Sequence, residues 1–353
     1  MNKRHRPPPS STQRRRLAVL LVLLLAGALP AGAQVPVLAY HGFAAEPEGR
    51  GSLTESYARF EQMLRFLADH DLRSAFPDEI GRGEADPSRS VILTFDDGLR
   101  EHLRAAEILE RYGFRGIFFV IPARVADNDK RHLSAGDLRR LARAGHRIAV
   151  HGYRHRSLVT SGSETAASIV RSGDLLRARL PRGHPIHDFA FPFGHYSDEI
   201  VEAAGERYRY LHTVNPGYWD GTSPLVPRML LANDVPLSFY QAYVRGGSHY
   251  RPAAALIGAD GSSGDTLRFH LSRTLPEGEL GMLAISADRE GTLYNLHPLG
   301  ENARVAGRVI TVDLRAHLAR HYPLERRVIS YALVTRTPAG VRYLTPGYSH
   351  WIP

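Results

Sequence analysis

The chain has 353 residues, a formal net charge of +9, an apolar fraction of 43% and no cysteine. This length and composition indicate one large globular domain or two ordinary ones rather than a disordered protein. The lack of cysteine excludes a disulfide framework, a thiolate nucleophile and a cysteine-ligated zinc site, so any metal must be held by His, Asp or Glu.

Residues 1–33 have the pattern of a secretory signal. Six basic residues and no acidic residue occupy the first sixteen positions, an apolar run covers residues 17–29, and residues 31–33 (AGA) match a cleavage site. We expect cleavage after Ala33 and a secreted or periplasmic protein, with an uncleaved membrane anchor as the alternative. The segment carries +6 of the net charge of +9, and the remainder has no basic run with interleaved aromatic residues, so nucleic-acid binding is not expected.

From residue 35 onward, short apolar runs alternate with amphipathic segments. Helices are predicted around residues 56–67, 103–113, 134–145, 197–205 and 237–244, with a polar helix that follows residue 155 and extends through residue 180. Strands are predicted at residues 35–41, 72–75, 91–95, 115–121, 146–150, 189–194 and 210–214. This alternation predicts an α/β domain with a parallel sheet or barrel, spanning residues 34–247. Such folds place their chemistry at the C-terminal ends of the strands.

Four of these strand ends carry residue types suited to a functional site. They are His41, the pair Asp96 and Asp97, the pair His151 and His155, and residues 192–194 (PFG). By default a histidine at a strand end is a half-buried surface residue, and an aspartate there caps the next helix. The coincidence of all four ends favours a site instead.

The pattern changes beyond about residue 247. Residues 266–271 alternate polar and apolar, and further strands are predicted at residues 279–287, 308–314, 327–335 and 341–344. We interpret residues 248–353 as a separate β-rich, sandwich-like domain, with residues 258–265 as a loop or linker.

Two histidines four residues apart can converge on one metal ion, and a carboxylate can complete a set that leaves positions open for water and substrate. His151 and His155 have this spacing, although Gly152 stands where a zincin would have its general-base glutamate. A second, unligated carboxylate is needed to accept a proton from the attacking water. Asp96 and Asp97 can divide these two roles because adjacent side chains can point in different directions.

Three segments resemble the first three motifs of the polysaccharide deacetylases, the NodB-homology proteins of carbohydrate esterase family 4. They are residues 94–98 (TFDDG), 151–155 (HGYRH) and 190–194 (AFPFG), and the resemblance covers roughly residues 35–247. It implies a distorted (β/α) barrel in which Asp96 is the general base and Asp97, His151 and His155 hold one divalent metal ion, usually zinc. The third motif, with Pro192, Phe193 and Gly194, would contact the substrate, and the Phe193 backbone N–H would stabilise the oxyanion.

Residues 35–41 (VPVLAYH) resemble the branch that includes bacterial poly-N-acetylglucosamine deacetylases. In that branch the general-acid histidine lies on the first strand, which implies that His41 protonates the departing amine. Residues 226–229 and 237–244 resemble the closing segment of the same branch.

The chain departs from the family pattern at two positions. Ala190 replaces the arginine that often orients the catalytic base, and Gly152 replaces a serine or threonine. Asp96 must then be oriented by another residue, for which Arg228 is the candidate. Trp219 either lines the substrate site or anchors a turn.

The resulting prediction is a metal-dependent N-deacetylase that releases acetate from a β-linked N-acetylglucosamine polysaccharide. Peptidoglycan, chitin oligomers and O-acetylated glycans are alternative substrates. A catalytically weak polysaccharide-binding or export protein is the rival from another class, and the missing arginine of the third motif gives it weight.

Overall fold

The computed structural model describes residues 34–47, 49, 52–161, 164–246, 254–260, 266–271, 274–275, 277–285, 294–321, 328–337, 340–344 and 348–351. All of these belong to one compact unit, Gly32–Pro353. The predicted signal segment and the predicted domain boundary near residue 247 lie outside the described residues, so both stay predictions. None of the described helices is long and apolar enough to cross a membrane.

The first part of the chain alternates strands and helices, as the sequence predicts. Its strands are β1 (Val37–Tyr40), β2 (Phe43–Ala44), β3 (Glu55–Ser56), β4 (Arg73–Ser74), β5 (Ser90–Phe95), β6 (Ile117–Val120), β7 (Arg147–Val150), β8 (Asp188–Ala190), β9 (Tyr210–His212), β10 (Leu225–Val226) and β11 (Met229–Leu230). Its helices are α1 (Tyr57–Asp69), α2 (Pro77–Gly81), α3 (His102–Arg111), α4 (Pro122–Ala126), α5 (Ala135–Arg143), α6 (Glu164–Arg177), α7 (Asp198–Gly205) and α8 (Leu237–Gly246).

Helix ends follow local signals in the sequence. The Ser56 side chain accepts a hydrogen bond from the Arg59 backbone N–H and so caps α1, whose apolar face is buried. Ser134 and Asp137 form the predicted capping box at the start of α5. These local signals explain why sequence alone locates both helices.

Nine of these strands form one parallel sheet. Their order is β10-β9-β8-β7-β6-β5-β1-β11, with β4 beside β5. Alternate side chains of the central strands enter two different apolar clusters, so that the sheet is buried on both faces. β5, for example, is buried along its whole length, sending Leu93 and Phe95 into one cluster and Ile92 into the other. The predicted α/β class with a parallel sheet is confirmed.

The last part of the chain consists mainly of antiparallel strands. They are β12 (Ala254–Asp260), β13 (Thr266–Leu271), β14 (Glu279–Ile285), β15 (Tyr294–Pro298), β16 (Ala303–Ala306), β17 (Val309–Asp313), β18 (Val328–Thr337), β19 (Gly340–Tyr343) and β20 (Tyr348–Trp351), with helix α9 (Leu314–His321) after β17. One sheet has the order β12-β13-β17-β16, and the other has the order β15-β14-β18-β19 with β20 also paired to β18. The additional β-rich region is therefore present as predicted.

Both antiparallel sheets contribute to one apolar cluster, as in a sandwich. We call this the sandwich cluster, and Leu333 of β18 belongs to it. The neighbouring residues Ala332 and Val334 belong instead to the cluster of the parallel sheet that contains Leu93 and Phe95. Successive residues of a strand point to opposite faces, so this strand is packed on both sides.

The interpretation of residues 258–265 as a loop or linker is wrong for its first three residues. Residues 258–260 belong to β12, which pairs with β13 through a register shift between Leu256 and Gly258. The shift interrupts the alternating pattern by which a strand is recognised in sequence. Residues 261–265 lie outside the described residues.

Candidate metal and catalytic site

The candidate residues follow four strands of the parallel sheet. β1, β5 and β7 precede His41, the Asp96–Asp97 pair and His151 respectively, and β8 precedes Pro192. Because neighbouring parallel strands end at the same edge, the order β8-β7-β6-β5-β1 gathers these residues at one end of the sheet.

Asp97, His151 and His155 form the candidate metal site. One potential ligand atom from each residue lies within 4.8 Å of those of the other two. The Asp97 Oδ1 atom lies 3.5 Å from His151 Nε2 and 3.3 Å from His155 Nε2. This oxygen is buried and has no hydrogen-bond partner among the described residues. A buried carboxylate oxygen facing two imidazoles is the arrangement that a bound cation would satisfy.

Both imidazoles are prepared to act as neutral ligands. The His151 Nδ1 atom lies 2.9 Å from the Ala190 carbonyl oxygen. Since a carbonyl can only accept, Nδ1 must carry the proton, which leaves the Nε2 lone pair facing Asp97. Burial and the neighbouring His151 lower the pKa of His155 to about 4. A neutral imidazole is the form that binds a metal.

Asp96 is held by Arg228 in a completely buried ion pair. The Arg228 Nη1 and Nη2 atoms donate to Asp96 Oδ1 and Oδ2 over 2.6 and 2.8 Å. Arg228 also donates from Nε to the Thr213 carbonyl and from Nη1 to the Thr94 hydroxyl, which fixes its plane. Burial raises the pKa of Asp96, but the charges of Arg228, His151 and His41 together with the Arg228 hydrogen bonds outweigh it and hold this pKa well below its usual range. Asp96 is therefore ionised at neutral pH.

His41 lies on the other side of Asp96, with its Nε2 atom 3.7 Å from Asp96 Oδ2. Its side chain is 17% exposed, so the imidazole can be reached from solvent. Burial lowers the pKa of His41, while Asp96 and Asp97 act in the opposite direction. The His41 backbone carbonyl accepts a 2.6 Å hydrogen bond from His102 Nε2.

The third-motif loop packs directly against the second-motif loop. The Phe193 ring is 55% exposed and its centroid lies 4.4 Å from that of His155. Gly152 has a φ of 62°, and a Cβ atom there would lie 2.7 Å from Pro192 Cγ. Gly194 has a φ of 69°, and a Cβ atom there would lie 2.2 Å from Val214 Cγ2. Only glycine fits at these two positions.

Three residues of the site have a left-handed backbone conformation without being glycine. The φ angles are 73° for Asp97, 54° for His155 and 60° for Phe193. Such conformations are costly and persist only where the surrounding structure imposes them, commonly at functional sites. The ligand positions are therefore set by the loops and not by local preference.

Comparison with known proteins agrees with this geometry. Residues 83–208 match the family model of polysaccharide deacetylases. The chain contains a polysaccharide deacetylase domain. The matched segment includes Asp96, Asp97, His151, His155 and the third motif, whereas His41 and Arg228 lie outside it.

Individual proteins similar to the deacetylase domain include a chitooligosaccharide deacetylase from Bradyrhizobium sp. (strain ANU 289). It is 26% identical over 157 residues, which cover 42% of this chain and 68% of that protein. Among solved structures, a polysaccharide deacetylase from Bacillus cereus has a TM-score of 0.54 at 20% identity, covering 60% of this chain and 69% of its own. A de-N-acetylase from Aggregatibacter actinomycetemcomitans has the same TM-score at 17% identity, covering 60% and 99%. These similarities confirm the predicted distorted (β/α) barrel of the NodB-homology type.

Trp219 lies apart from the site of the deacetylase domain. Its backbone pairs with that of Val35, which precedes β1, whereas His41 follows β1 at the other end. The side chain is completely buried, and its Nε1 atom donates to the Ser223 carbonyl. Of the two predicted roles for Trp219, this position fits the anchoring of a turn and not the lining of the substrate site.

Sequence reasoning missed His102 as part of the site. It is the first residue of α3, completely buried, and it holds the backbone of His41. The apolar pattern that locates this helix begins one residue later at Leu103. The local sequence around His102 does not indicate its hydrogen-bond partner, the His41 carbonyl, which is 61 positions away in the chain.

Proposed function

We propose that this protein is a metal-dependent N-deacetylase of a β-linked N-acetylglucosamine polysaccharide and that it releases acetate. The observation that carries the proposal is the convergence of Asp97, His151 and His155 next to the Arg228-held carboxylate of Asp96. A chitooligosaccharide deacetylase and a de-N-acetylase among the similar proteins support an N-acetylated sugar chain as substrate.

Asp97, His151 and His155 would hold the metal ion in this proposal. Two neutral imidazoles and one carboxylate leave positions open for water and substrate, which suits zinc in a catalytic site. A divalent ion bound there supplies a Lewis acid that polarises the acetyl carbonyl and lowers the pKa of water. The unpartnered Asp97 Oδ1 atom supports this assignment because it needs a cationic or protic partner.

The remaining residues divide the proton transfers between them. Asp96 is ionised and fixed by Arg228, and in our proposal it accepts a proton from the attacking water. The Phe193 backbone N–H donates a hydrogen bond to the developing oxyanion within the loop of Pro192 and Gly194. His41, when protonated to the imidazolium, donates this proton to the nitrogen of the departing amine, and release of the amine completes the hydrolysis.

We also propose that the protein acts outside the cytoplasm, in the periplasm or after secretion. The support is the sequence of residues 1–33, whose basic, apolar and small-residue regions follow one another as in a signal peptide. An extracytoplasmic location suits a polysaccharide substrate. Mass determination of the mature N-terminus tests this directly, because cleavage after Ala33 leaves Gln34 as the first residue.

The function is tested by acetate release from a panel of glycans with the zinc-loaded protein. The panel contains poly-N-acetylglucosamine, chitin oligomers, peptidoglycan and an O-acetylated glycan. We expect the highest kcat/KM on poly-N-acetylglucosamine, and at least a 100-fold loss for Asp96→Asn and His151→Ala, since a positioned base alone supplies about 10²–10⁴-fold. The exposed His70→Ala serves as the control that keeps activity.

Two results would contradict the proposal. Wild-type turnover by either site variant would remove Asp96 or His151 from the mechanism. Absence of acetate release from every glycan, together with failure to retain a divalent ion, would instead favour a protein that binds polysaccharide without hydrolysing it.

A further inference from the structure

Three histidines lie together in the C-terminal part of the protein, on elements that do not contribute to the deacetylase site. His297 lies on β15, and His317 and His321 lie on α9. The ring centroids of His297 and His321 are 4.0 Å apart, those of His317 and His321 are 4.8 Å apart, and those of His297 and His317 are 6.3 Å apart. We call these three residues the histidine cluster.

His317 is the most informative member of the histidine cluster. It is completely buried, and neither its Nδ1 nor its Nε2 atom has a hydrogen-bond partner among the described residues. Leaving a buried polar group unsatisfied is costly, and such groups in a native structure call for a specific explanation. A structural histidine in an apolar core would normally donate at least one hydrogen bond.

Two members of the histidine cluster, His317 and His321, have lowered pKa values, which favours the neutral imidazole that binds a cation. Burial, followed by the proximity of His321 and His297, lowers the pKa of His317 to about 3. Burial likewise lowers the pKa of His321. The Arg320 charge acts in the same direction on both, but its guanidinium lies 3.4 Å from Glu301 and 62% of its side chain is exposed. Its charge is thus largely screened by solvent and by an acidic partner.

The spacing of the histidine cluster suits a transition-metal ion. His317 and His321 are four residues apart on one helix, the spacing by which two imidazoles bind one ion from a single helical face. His297 adds a third imidazole from a neighbouring strand. An ion about 2.0–2.1 Å from each of three imidazole nitrogens separates the ring centroids by roughly 5 Å. The observed separations of 4.0, 4.8 and 6.3 Å lie on either side of this value, so the imidazoles must rotate to bring their nitrogens to one ion.

We propose that His297, His317 and His321 form a second metal site, which binds a divalent transition-metal ion such as Zn²⁺ independently of the deacetylase site. Three imidazoles favour zinc, copper, nickel or cobalt over calcium or magnesium. The His297 and His321 rings are nearly parallel, with 13° between their planes, so one of them turns to direct a nitrogen at the ion. Because β15 and α9 are joined by the site, the ion stabilises this part of the fold.

The test uses the full mature chain with the first site disabled. In Asp97→Asn/His151→Ala, zinc binding is measured by competition with a chromogenic chelator, and the melting temperature is recorded with and without zinc. We expect one remaining Zn²⁺ per chain and a rise in melting temperature on addition of zinc. Adding His321→Gln is expected to weaken this binding by about 100-fold or more, since even changes outside the ligand sphere cost about 10–100-fold.

Two further variants keep the test decisive. His317→Gln in the same background is expected to abolish the zinc-induced rise in melting temperature. His270→Gln, on the exposed face of β13, removes a histidine from the same region without touching the cluster and should change neither quantity. A dissociation constant for zinc above 100 µM in the disabled-site protein, which corresponds to a binding free energy of roughly 5 kcal/mol or less, overturns the proposal. Undiminished binding in both His317→Gln and His321→Gln overturns it equally.

Discussion

Arg228 and Asp96 form an ion pair in which neither side chain has appreciable contact with solvent. Such a pair is stabilising only when its hydrogen bonds are complete, and removal of one partner leaves a buried charge at a cost of about 3–5 kcal/mol. Here both Asp96 oxygens are bonded to the guanidinium, and two of its nitrogens also bond to Thr213 and Thr94. The pair orients the proposed base in one direction only.

Arg228→Lys is expected to lower kcat by about 100-fold, because an ammonium cannot bond both carboxylate oxygens and a small misplacement of a catalytic group costs about this factor. KM should change little, since Arg228 is buried beneath Asp96. Initial rates of acetate release over a range of substrate concentrations separate the two parameters.

The matched control is Arg115→Lys, which alters a similar two-bond pair with Glu79 away from the site. We expect it to keep kcat within about 2-fold, as surface pairs contribute little. Equal losses of kcat in the two variants would show that Arg228 acts through general stability and not through Asp96.

Sequence reasoning could nominate Arg228 but could not establish its contact with Asp96. The third motif shows that Ala190 replaces the arginine that often orients the base. It does not show which other cationic residue takes over that role. The pair joins positions 132 apart in the chain, and it forms because β1 pairs with β11 on one side and with β5 on the other, which brings Arg228 within reach of Asp96. A contact of this kind depends on the closure of the sheet, which no local pattern encodes.

At the scale of the elements, the loops after β7 and β8 support each other through the contact of Gly152 with Pro192. This contact accounts for the glycine at position 152, because a Cβ atom there would lie 2.7 Å from Pro192 Cγ. Any side chain would have to displace Pro192 and, with it, the backbone of Phe193.

Gly152→Ala is therefore expected to lower both stability and activity. The left-handed backbone costs about 1–2 kcal/mol for a residue with a Cβ atom, and the displaced loop should cost at least 10-fold in kcat. Gly183→Ala is the control, because Gly183 has a φ of 82° but no atom within 4 Å of the added Cβ. The control should lose a similar 1–2 kcal/mol in chemical denaturation with full activity. Unchanged kcat in Gly152→Ala would contradict the role of this contact.

Strand β18 contributes to the sandwich cluster and to a cluster of the parallel sheet, as β14 also does through Leu283. Val334→Asp places a carboxylate in the cluster of the parallel sheet, and we expect the melting temperature to fall by more than about 5 °C, because an unpaired buried charge costs several kcal/mol. Arg336→Asp on the exposed part of the same strand should shift it by less than about 2 °C. Thermal inactivation of acetate release measures whether the deacetylase domain is destabilised too. A melting temperature unaffected by Val334→Asp would show that the two clusters are not coupled.

The antiparallel part shows which elements sequence patterns recover. β13 and β17 alternate buried residues with half-buried or exposed ones, and both strands were predictable from that alternation. β16 is almost wholly exposed and is a strand only because β17 lies beside it. Helix α9 has buried residues at Leu314, His317 and Leu318, which is a helical spacing, but one of the three is a histidine and does not count toward an apolar pattern.

At the scale of the whole molecule, acid stability depends on a second buried ion pair. Asp78 bonds to Arg147 and to Arg82, and Arg147 also lies 3.3 Å from Asp188. Burial raises the pKa of Asp78, but the bonds from Arg147 and Arg82 outweigh it and lower this pKa to about 2. A carboxyl whose pKa is lower in the folded state stabilises the fold above its unfolded pKa of about 3.9, and this contribution is lost as the pH falls toward 2.

Asp78→Asn is expected to remove about 2 kcal/mol of stability at pH 7 and less at pH 2, so the difference between wild type and variant should shrink between about pH 4 and pH 2. Urea denaturation at a series of pH values measures this difference directly. The exposed Asp86→Asn provides the control, with no comparable pH-dependent difference. A constant difference between wild type and Asp78→Asn across this range would contradict the assignment.

The three left-handed residues of the site affect the evolution of the whole protein. At about 1–3 kcal/mol each, the conformations of Asp97, His155 and Phe193 use a large part of the 5–15 kcal/mol by which domains are usually stable. Glycine at any of the three would relax the backbone, so Phe193→Gly should unfold at higher temperature while hydrolysing more slowly. Selection for the reaction and selection for folding thus oppose each other at these positions. In a descendant protein that no longer needed the reaction, we expect substitutions at these three positions to be among the first to accumulate, because they would raise the stability of the fold.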